Sequence, residues 1–202
     1  MKCKTERLIL REYTKEDNHN LYKLFTEDFV STYEAHLQMK SISDVEDHIQ
    51  FHLENAKSSN RTHYFYIIEL QATHDFVGIV GYSFVEETEI NGKTGSVMEL
   101  EYYLLEEHWR KGYMSESLNK VISLAFENRK VIKIFAQCHK DNPSSEKVMI
   151  KCGMHKSAIQ PEPKAYNGVF KENIRYELTI DDYLCHRKQK EEHICPTLNY
   201  PI

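Results

Sequence analysis

Apolar and polar positions fall in blocks along this chain, and the blocks switch between a period near two and a period near 3.6. The opening run Thr5-Glu6-Arg7-Leu8-Ile9-Leu10-Arg11 reads as a strand. Thr14-Lys15-Glu16-Asp17 then starts a helix, with an acid three residues past a threonine that caps it. Leu21, Leu24 and Phe25 supply its apolar stripe. Ser43-Asp44-Val45-Glu46 opens a second helix with Val45, Ile49 and Leu53 on one face. Tyr64–Leu70 and Phe76–Phe84 read as strands joined by a turn at Thr73-His74-Asp75. Asn91-Gly92 marks a turn before a strand over 96–105. A helix follows from Ser115 to Phe126, then a strand over Ile132–Cys138. Asn142 or Ser144 caps a short helix to Lys151, and Gly153 ends it at the C′ position. Asn167-Gly168 separates Lys164–Tyr166 from a last strand near Asn173–Ile180, which makes a closing hairpin. The fold class expected is mixed α/β, in one domain over residues 1–184, with a polar tail over 185–202 that begins as a helix extension.

Composition narrows the class. At 202 residues the chain is long enough for one domain with a real core. No apolar run approaches the roughly 20 residues needed to cross a bilayer, so no membrane partner is expected. The start Met1-Lys2-Cys3-Lys4-Thr5 has no apolar signal core, which points to the cytoplasm. Five scattered cysteines then read as thiols rather than a disulfide frame. A net charge of −5 argues against nucleic acid as a partner and is compatible with a cationic amine. Cys185-His186 and His193-x-Cys195 do not match zinc spacings, and no metal is expected.

The chemistry concentrates in two places. Trp109-Arg110-Lys111-Gly112-Tyr113-Met114-Ser115-Glu116 follows the strand run Glu99–Leu105 and opens a helix. A strand, a short glycine turn and a helix N-terminus form an anion cradle, because the first-turn N–H groups are unpaired and the helix dipole is positive there. Gly112 lets a phosphate approach the backbone, while Arg110 and Lys111 add charge. About thirty residues on comes Asn142-Pro143-Ser144-Ser145, and then Lys151-Cys152-Gly153-Met154.

With these motifs the chain resembles the GNAT superfamily of acetyl-CoA-dependent N-acetyltransferases, and within it the ribosomal-protein N-terminal (Rim) type. Thr5–Arg11 resembles the family's T-x-R-L-x-L-R strand, Trp109-x-x-Gly112-x-Met114 its pyrophosphate loop, Glu116 the acid after that loop, and Asn142-x-x-Ser145 its Asn-x-x-Ser. The resemblance implies a fold whose central strands splay apart, acetyl-CoA as acetyl donor, and a primary amine as acceptor. That amine is a protein N-terminal α-amine or a small amine, and a homodimer is left open. It places Leu104 and Leu105 backbone groups on pantetheine and Arg110, Lys111, Gly112, Tyr113, Met114 and Ser115 on the pyrophosphate. Asn142 orients the pantetheine amide or the serine. Met114 stands where the family has glycine or alanine, and so crowds the loop. Met149 stands where many members carry a tyrosine that protonates the leaving thiolate; the Rim type commonly lacks that tyrosine and uses the Asn-x-x-Ser serine, so the resemblance implies Ser145 as the acid.

Free amines need a proton acceptor near pH 7. Glu99 and Glu101 share one strand face by alternation. Glu99, which matches the acid of the family's Glu-Ile-Gly-Tyr strand, is the first choice, and Glu101 the second. Structural alternatives stand beside these roles: solvent-facing carboxylates, Ser145 or Asn142 as a helix cap, and Trp109 as a packed loop anchor. Tyr33, Tyr82 and Tyr166 are candidates for an acceptor pocket, and His36, His52 and His108 read as surface residues. The competing function is a non-catalytic acyl-CoA-binding or sensing module on the same fold.

Overall fold

The computed structural model describes residues 2–34, 37–128, 130–161 and 172–194. Among the described residues the strands are β1 (Lys2–Lys4), β2 (Leu8–Arg11), β3 (His63–Leu70), β4 (Phe76–Ile90), β5 (Lys93–Leu104), β6 (Val131–His139), β7 (His155–Pro161) and β8 (Glu172–Thr179). The α-helices among them are α1 (Asn18–Phe25), α2 (Asp28–Tyr33), α3 (Ile42–Lys57), α4 (Tyr113–Asn128), α5 (Pro143–Lys151) and α6 (Ile180–Ile194). One sheet has the order β1-β2-β3-β4-β5-β6-β8-β7. Each neighbouring pair is antiparallel except β5–β6, which is parallel and joined through α4. The mixed α/β class read from the pattern is the one observed.

Alternation sorts the side chains into two cores. Leu8, Leu10, Tyr66, Tyr82, Met98 and Leu100 bury against Leu118, Val121, Ile122 and Ala125 of α4. Ile67, Ile79, Phe65 and Leu105 on the opposite face bury against Leu21, Leu24, Phe25, Val45 and Ile49 of α1 and α3. Each buried leucine or isoleucine contributes about 1.5–3 kcal/mol, so both helical layers are fixed by burial more than by propensity.

Local signals explain the boundaries. Thr14 and Asp17 form the capping box expected, ahead of a 3₁₀ turn that leads into α1. The cap of α3 is Ser41 rather than Ser43: its hydroxyl accepts from Asp44 N–H at 3.2 Å, and the Asp44 carboxylate accepts from Ser41 N–H at 2.9 Å. That box shifts the helix start to Ile42. The short helix α2 carries no periodic signal. Asn91 and Gly92 both take positive φ at the turn between β4 and β5, as an Asn-Gly hairpin requires. The partner of β8 is β7, over 155–161; Lys164–Tyr166 and Asn167-Gly168 lie outside the described residues. Helix α6 runs through the 184–185 boundary, and Arg187 pairs with Glu127 of α4. Among the described residues no helix is long and apolar enough to cross a membrane.

The parallel pair β5–β6 is the feature that matters for function. Its register runs from Ser96↔Val131 to Glu99↔Phe135 and stops there. Beyond that point β5 stays paired to β4 through Gly78↔Leu104, and β6 stays paired to β8 through His139↔Asn173. The two strands part, leaving residues 100–104 and 136–139 with one partner strand each. Their facing edges carry peptide groups with no ladder partner.

Candidate active site

At one end of the gap lies the turn into α4. Arg110 and Gly112 both take positive φ, 60° and 81°. This conformation suits glycine at 112 and is unusual at 110. The first helical bond runs from Glu116 N–H to the Gly112 carbonyl, so Tyr113, Met114 and Ser115 N–H have no partner within the helix. A Cβ on Gly112 would meet nothing closer than Arg7 Nη2 at 3.4 Å. Backbone donors, a bare glycine and exposed Arg110 and Lys111 make a concavity suited to phosphate oxygens.

The opening T-x-R motif holds this turn in place. Glu116 accepts from Thr5 Oγ1 at 2.5 Å, from Arg7 N–H at 2.8 Å and from Arg7 Nε at 2.7 Å. Arg7 Nη1 donates to the Lys111 carbonyl at 3.0 Å, and its guanidinium lies 4.8 Å from the Tyr113 ring centroid. Sequence reasoning gives Arg7 no role; its bonds to Glu116 and Lys111 make it the clasp of the loop. Trp109 ties the loop to β5, its indole N–H donating to the Leu104 carbonyl at 3.0 Å, but the side chain is 39% exposed rather than packed away as expected.

Two expectations about this end change. Met114 does not crowd the cradle, because its side chain turns into the core and is 6% exposed. Leu105 has no N–H to offer a pantetheine group, since it donates to the Val77 carbonyl at 3.1 Å. The backbone edge available to a ligand is the unpaired one over 100–104.

At the other end of the gap stands α5. Asn142 is its cap, accepting from Ser145 N–H at 3.1 Å, so Ser145 is free of that duty. The Ser145 hydroxyl instead shares a 2.8 Å hydrogen bond with the Tyr102 hydroxyl across the gap. Burial pushes the Tyr102 phenol far up, with the Ser145 bond pulling the other way. Cys138 stands beside them, its thiol raised by burial to about 11. Met149 is fully buried. The phenol near Ser145 thus comes from β5 rather than from α5, a tertiary pairing that no local pattern announces.

Glu99 and Glu101 project to the face opposite Tyr102, on either side of the point where the strands part. Gln137 Nε2 donates to Glu99 at 3.2 Å. Burial, and secondarily the charge of Glu99, pushes Glu101 up to about 7, while a hydrogen bond with Ser83 pulls it down. Glu34, the C-cap of α2, is close enough to raise Tyr102 and Tyr103. Tyr33 of the same helix reaches the Asp141 carbonyl at 3.3 Å, so α2 crosses the mouth of the gap. Tyr82 is no pocket residue, being 1% exposed and stacked on Tyr64. Tyr166 and His36 lie outside the described residues. His52 is buried rather than on the surface, and His108 is half-buried.

The model of the acetyltransferase (GNAT) domain matches residues 7–155, about three quarters of the chain. The chain belongs to the GNAT acetyltransferase family. It is therefore an acyltransferase, and the splayed strands are those of this GNAT fold. An uncharacterized N-acetyltransferase of Bacillus subtilis, YoaA, is 29% identical over 166 residues, covering 81% of this chain and 88% of that protein. The ribosomal-protein-S5-alanine acetyltransferase of Vibrio fischeri shares the fold with a TM-score of 0.73 at 19% identity, over 91% of this chain and 98% of that one. A spermidine N-acetyltransferase of Vibrio cholerae, solved with CoA and spermine, gives 0.70 at 20% identity, over 88% and 98%.

Proposed function

We propose that this GNAT protein is an N-acetyltransferase that moves an acetyl group from acetyl-CoA to a primary amine, a protein N-terminal α-amine or a small amine. The observation that carries the reading is the end of β5–β6 pairing at Glu99↔Phe135, with Glu101 on one face of the opening and Tyr102–Ser145 on the other. The donor fits the residues present. The N–H groups of Tyr113, Met114 and Ser115, with Arg110 and Lys111, suit its pyrophosphate, and the open β5 edge suits its pantetheine arm. Acetyl-CoA supplies a thioester carbonyl activated toward amines.

The chain's residues then divide the proton work. Glu101, raised to about 7, is the base: it takes a proton from the amine nitrogen near neutral pH. Glu99, held by Gln137, orients the amine. Unpaired N–H groups along residues 100–104 face the gap and donate to a carbonyl there. Ser145 holds a proton at Oγ for the departing sulfur, and Tyr102 fixes that hydroxyl. The reading of a non-catalytic acyl-CoA module rests on Met114 and Met149. Both side chains are buried in the core, and neither obstructs the cradle.

The test is calorimetric titration with acetyl-CoA, followed by a panel of amines and peptides read as thiol release. Gly112→Glu sets an anion where phosphates bind and should weaken acetyl-CoA by at least about a hundredfold. Unchanged affinity in a folded variant would show that the cradle lies elsewhere; binding with no release for any amine or peptide would overturn the enzyme reading.

A further inference from the structure

Resting on the N-acetyltransferase reading, we propose that Arg7 is itself a donor-binding residue. Its Nη2 amine donates to the pyrophosphate of acetyl-CoA beside Gly112, and it supplies more of that affinity than Arg110 or Lys111.

The guanidinium is pinned on three sides. Nε donates to Glu116 at 2.7 Å, Nη1 donates to the Lys111 carbonyl at 3.0 Å, and the Tyr113 ring centroid stands 4.8 Å from the guanidinium carbon. Tyr113 opens α4 and is one of the three residues whose N–H groups have no partner within the helix. The contacts to Glu116 and Lys111 use Nε and Nη1, and Nη2 is left without a hydrogen-bond partner among the described residues. Nη2 lies 3.4 Å from the position that a Cβ on Gly112 would take. The unpaired amine, the bare glycine and the first-turn N–H groups of α4 thus border one concavity. The ion pair with Glu116 does not close it, because that pair occupies the Nε edge of the guanidinium.

Holding the side chain in advance is what gives it weight. A guanidinium is a planar fork of N–H donors that matches phosphate oxygens. One already fixed by a carboxylate, a carbonyl and a ring has little freedom left to lose when an anion arrives, so more of the new hydrogen bond appears as affinity. Arg110 and Lys111 are exposed, and their side chains make no hydrogen bond or ion pair among the described residues. Each must be immobilised to bind, and solvent screens its charge.

Calorimetry on the full-length protein compares acetyl-CoA with S-acetylpantetheine, which has the thioester arm but neither pyrophosphate nor adenosine. Arg7→Met should weaken acetyl-CoA by about tenfold to a hundredfold, the range of a hydrogen bond to a charged group, and leave S-acetylpantetheine unchanged. Arg7→Lys should recover part of the loss, since the charge stays and the fork does not. Arg110→Met and Lys111→Met should each cost less than about threefold. Glu116→Gln separates binding from clasping: it removes the ionic partner and keeps the guanidinium. Acetyl-CoA should then weaken by less than about threefold, while the urea midpoint falls as far as in Arg7→Met. Unchanged acetyl-CoA affinity in folded Arg7→Met overturns the proposal while the acetyltransferase reading stands. So does an equal loss in Glu116→Gln, which would make Arg7 a clasp alone, and so does an equal loss for S-acetylpantetheine. If Arg7→Met does not fold, Arg7→Lys is read by the same comparisons. A parent protein that does not bind acetyl-CoA overturns the proposal together with the reading beneath it.

Discussion

Two shielded groups of ionisable side chains lie on the same side of the sheet and respond to shielding in opposite directions. His48 and His52 stand one turn apart on α3 and are enclosed by rings. Tyr13 stacks on His52 at 4.8 Å, Phe25 meets His48 edge-on at 5.2 Å, and the two imidazoles are 4.6 Å apart. Burial lowers His48 to about 4, and burial with the neighbouring His48, His63 and Arg61 lowers His52 to about 3. Glu99 and Glu101 face the gap between β5 and β6 instead, and burial raises Glu101 to about 7. Desolvation favours the neutral form in both clusters. What separates them is placement. The histidines pack against Tyr13 and Phe25, at the edge of a small cavity that Tyr13, His52 and Phe65 help to line, whereas the carboxylates sit where β5 and β6 part and leave peptide groups without a ladder partner. A shifted titration marks a site only when donors and acceptors for a ligand stand beside it.

The largest effect expected comes from Glu101→Gln. If Glu101 is the base, kcat/KM near pH 8 should fall by about 10²–10⁴-fold. The unaltered enzyme should gain activity as pH rises through about 7, because a base works only when deprotonated. Stability should move the other way. The folded pKa of Glu101 lies above its ordinary value of 4.5, so its contribution is complete below about 4.5 and is lost as pH rises through about 7. A glutamine at this position cannot ionise, so the variant should be more stable than the parent at pH 8, by on the order of 2 kcal/mol in urea titrations. Retained kcat/KM in a folded variant would move the base elsewhere.

The histidine cluster should show the mirror image in stability, with no change in catalysis. The folded pKa values of His48 and His52 lie below 6.5, so the unfolded chain binds protons first as pH falls. Their contribution is complete above about 6.5 and drains away toward about 4 and about 3, at about 1.4 kcal/mol per pH unit for each histidine. His48→Leu with His52→Phe keeps the apolar packing and should flatten that acid limb between pH 7 and 5. Its kcat/KM at pH 7.5 should match the parent. A loss of activity there would mean that the two clusters are coupled, and the comparison would fail.

Sequence alone reaches the frame of the fold and stops at its tertiary contacts. Alternation locates β2 to β6 and β8 but not β1 or β7, and Asn91-Gly92, Gly112 and Gly153 locate turns, because each depends on a few adjacent residues. Asn142 is legible as a cap for the same reason. Helix α2 is not, since six residues give no periodicity to read. The choice between Glu99 and Glu101 stays open because alternation puts both on one face; only the position of the strand split and the packing around each carboxylate separate them. The chemistry of His52 suggests the surface, although Val45, Ile49 and His52 recur at helical spacing and are all buried. The Arg7–Glu116 clasp and the Tyr102–Ser145 bond join residues far apart in the chain, which no window over a single segment can see.

The Tyr102–Ser145 bond has features of both clusters, half-shielded by packing like His48 and bordering the opening like the carboxylates, and it gives the smallest effect expected. As a proton path it predicts that Ser145→Ala lowers kcat about tenfold with little change in the KM for acetyl-CoA. Tyr102→Phe should lower kcat less, since the serine hydroxyl remains in the gap. The double variant should be no worse than Ser145→Ala, because residues acting as one unit do not add. As a packing bond it predicts something else. Ser145→Ala would leave the Tyr102 hydroxyl only its long 3.4 Å bond to the carbonyl of residue 145, at a cost of about 1 kcal/mol, seen as a lower unfolding midpoint with kcat intact. Tyr102→Phe would then cost little, because the half-buried serine still meets solvent. Measuring kcat and urea midpoints on the same three variants decides whether access gives this polar pair chemistry or whether, like the histidines, it only holds the fold.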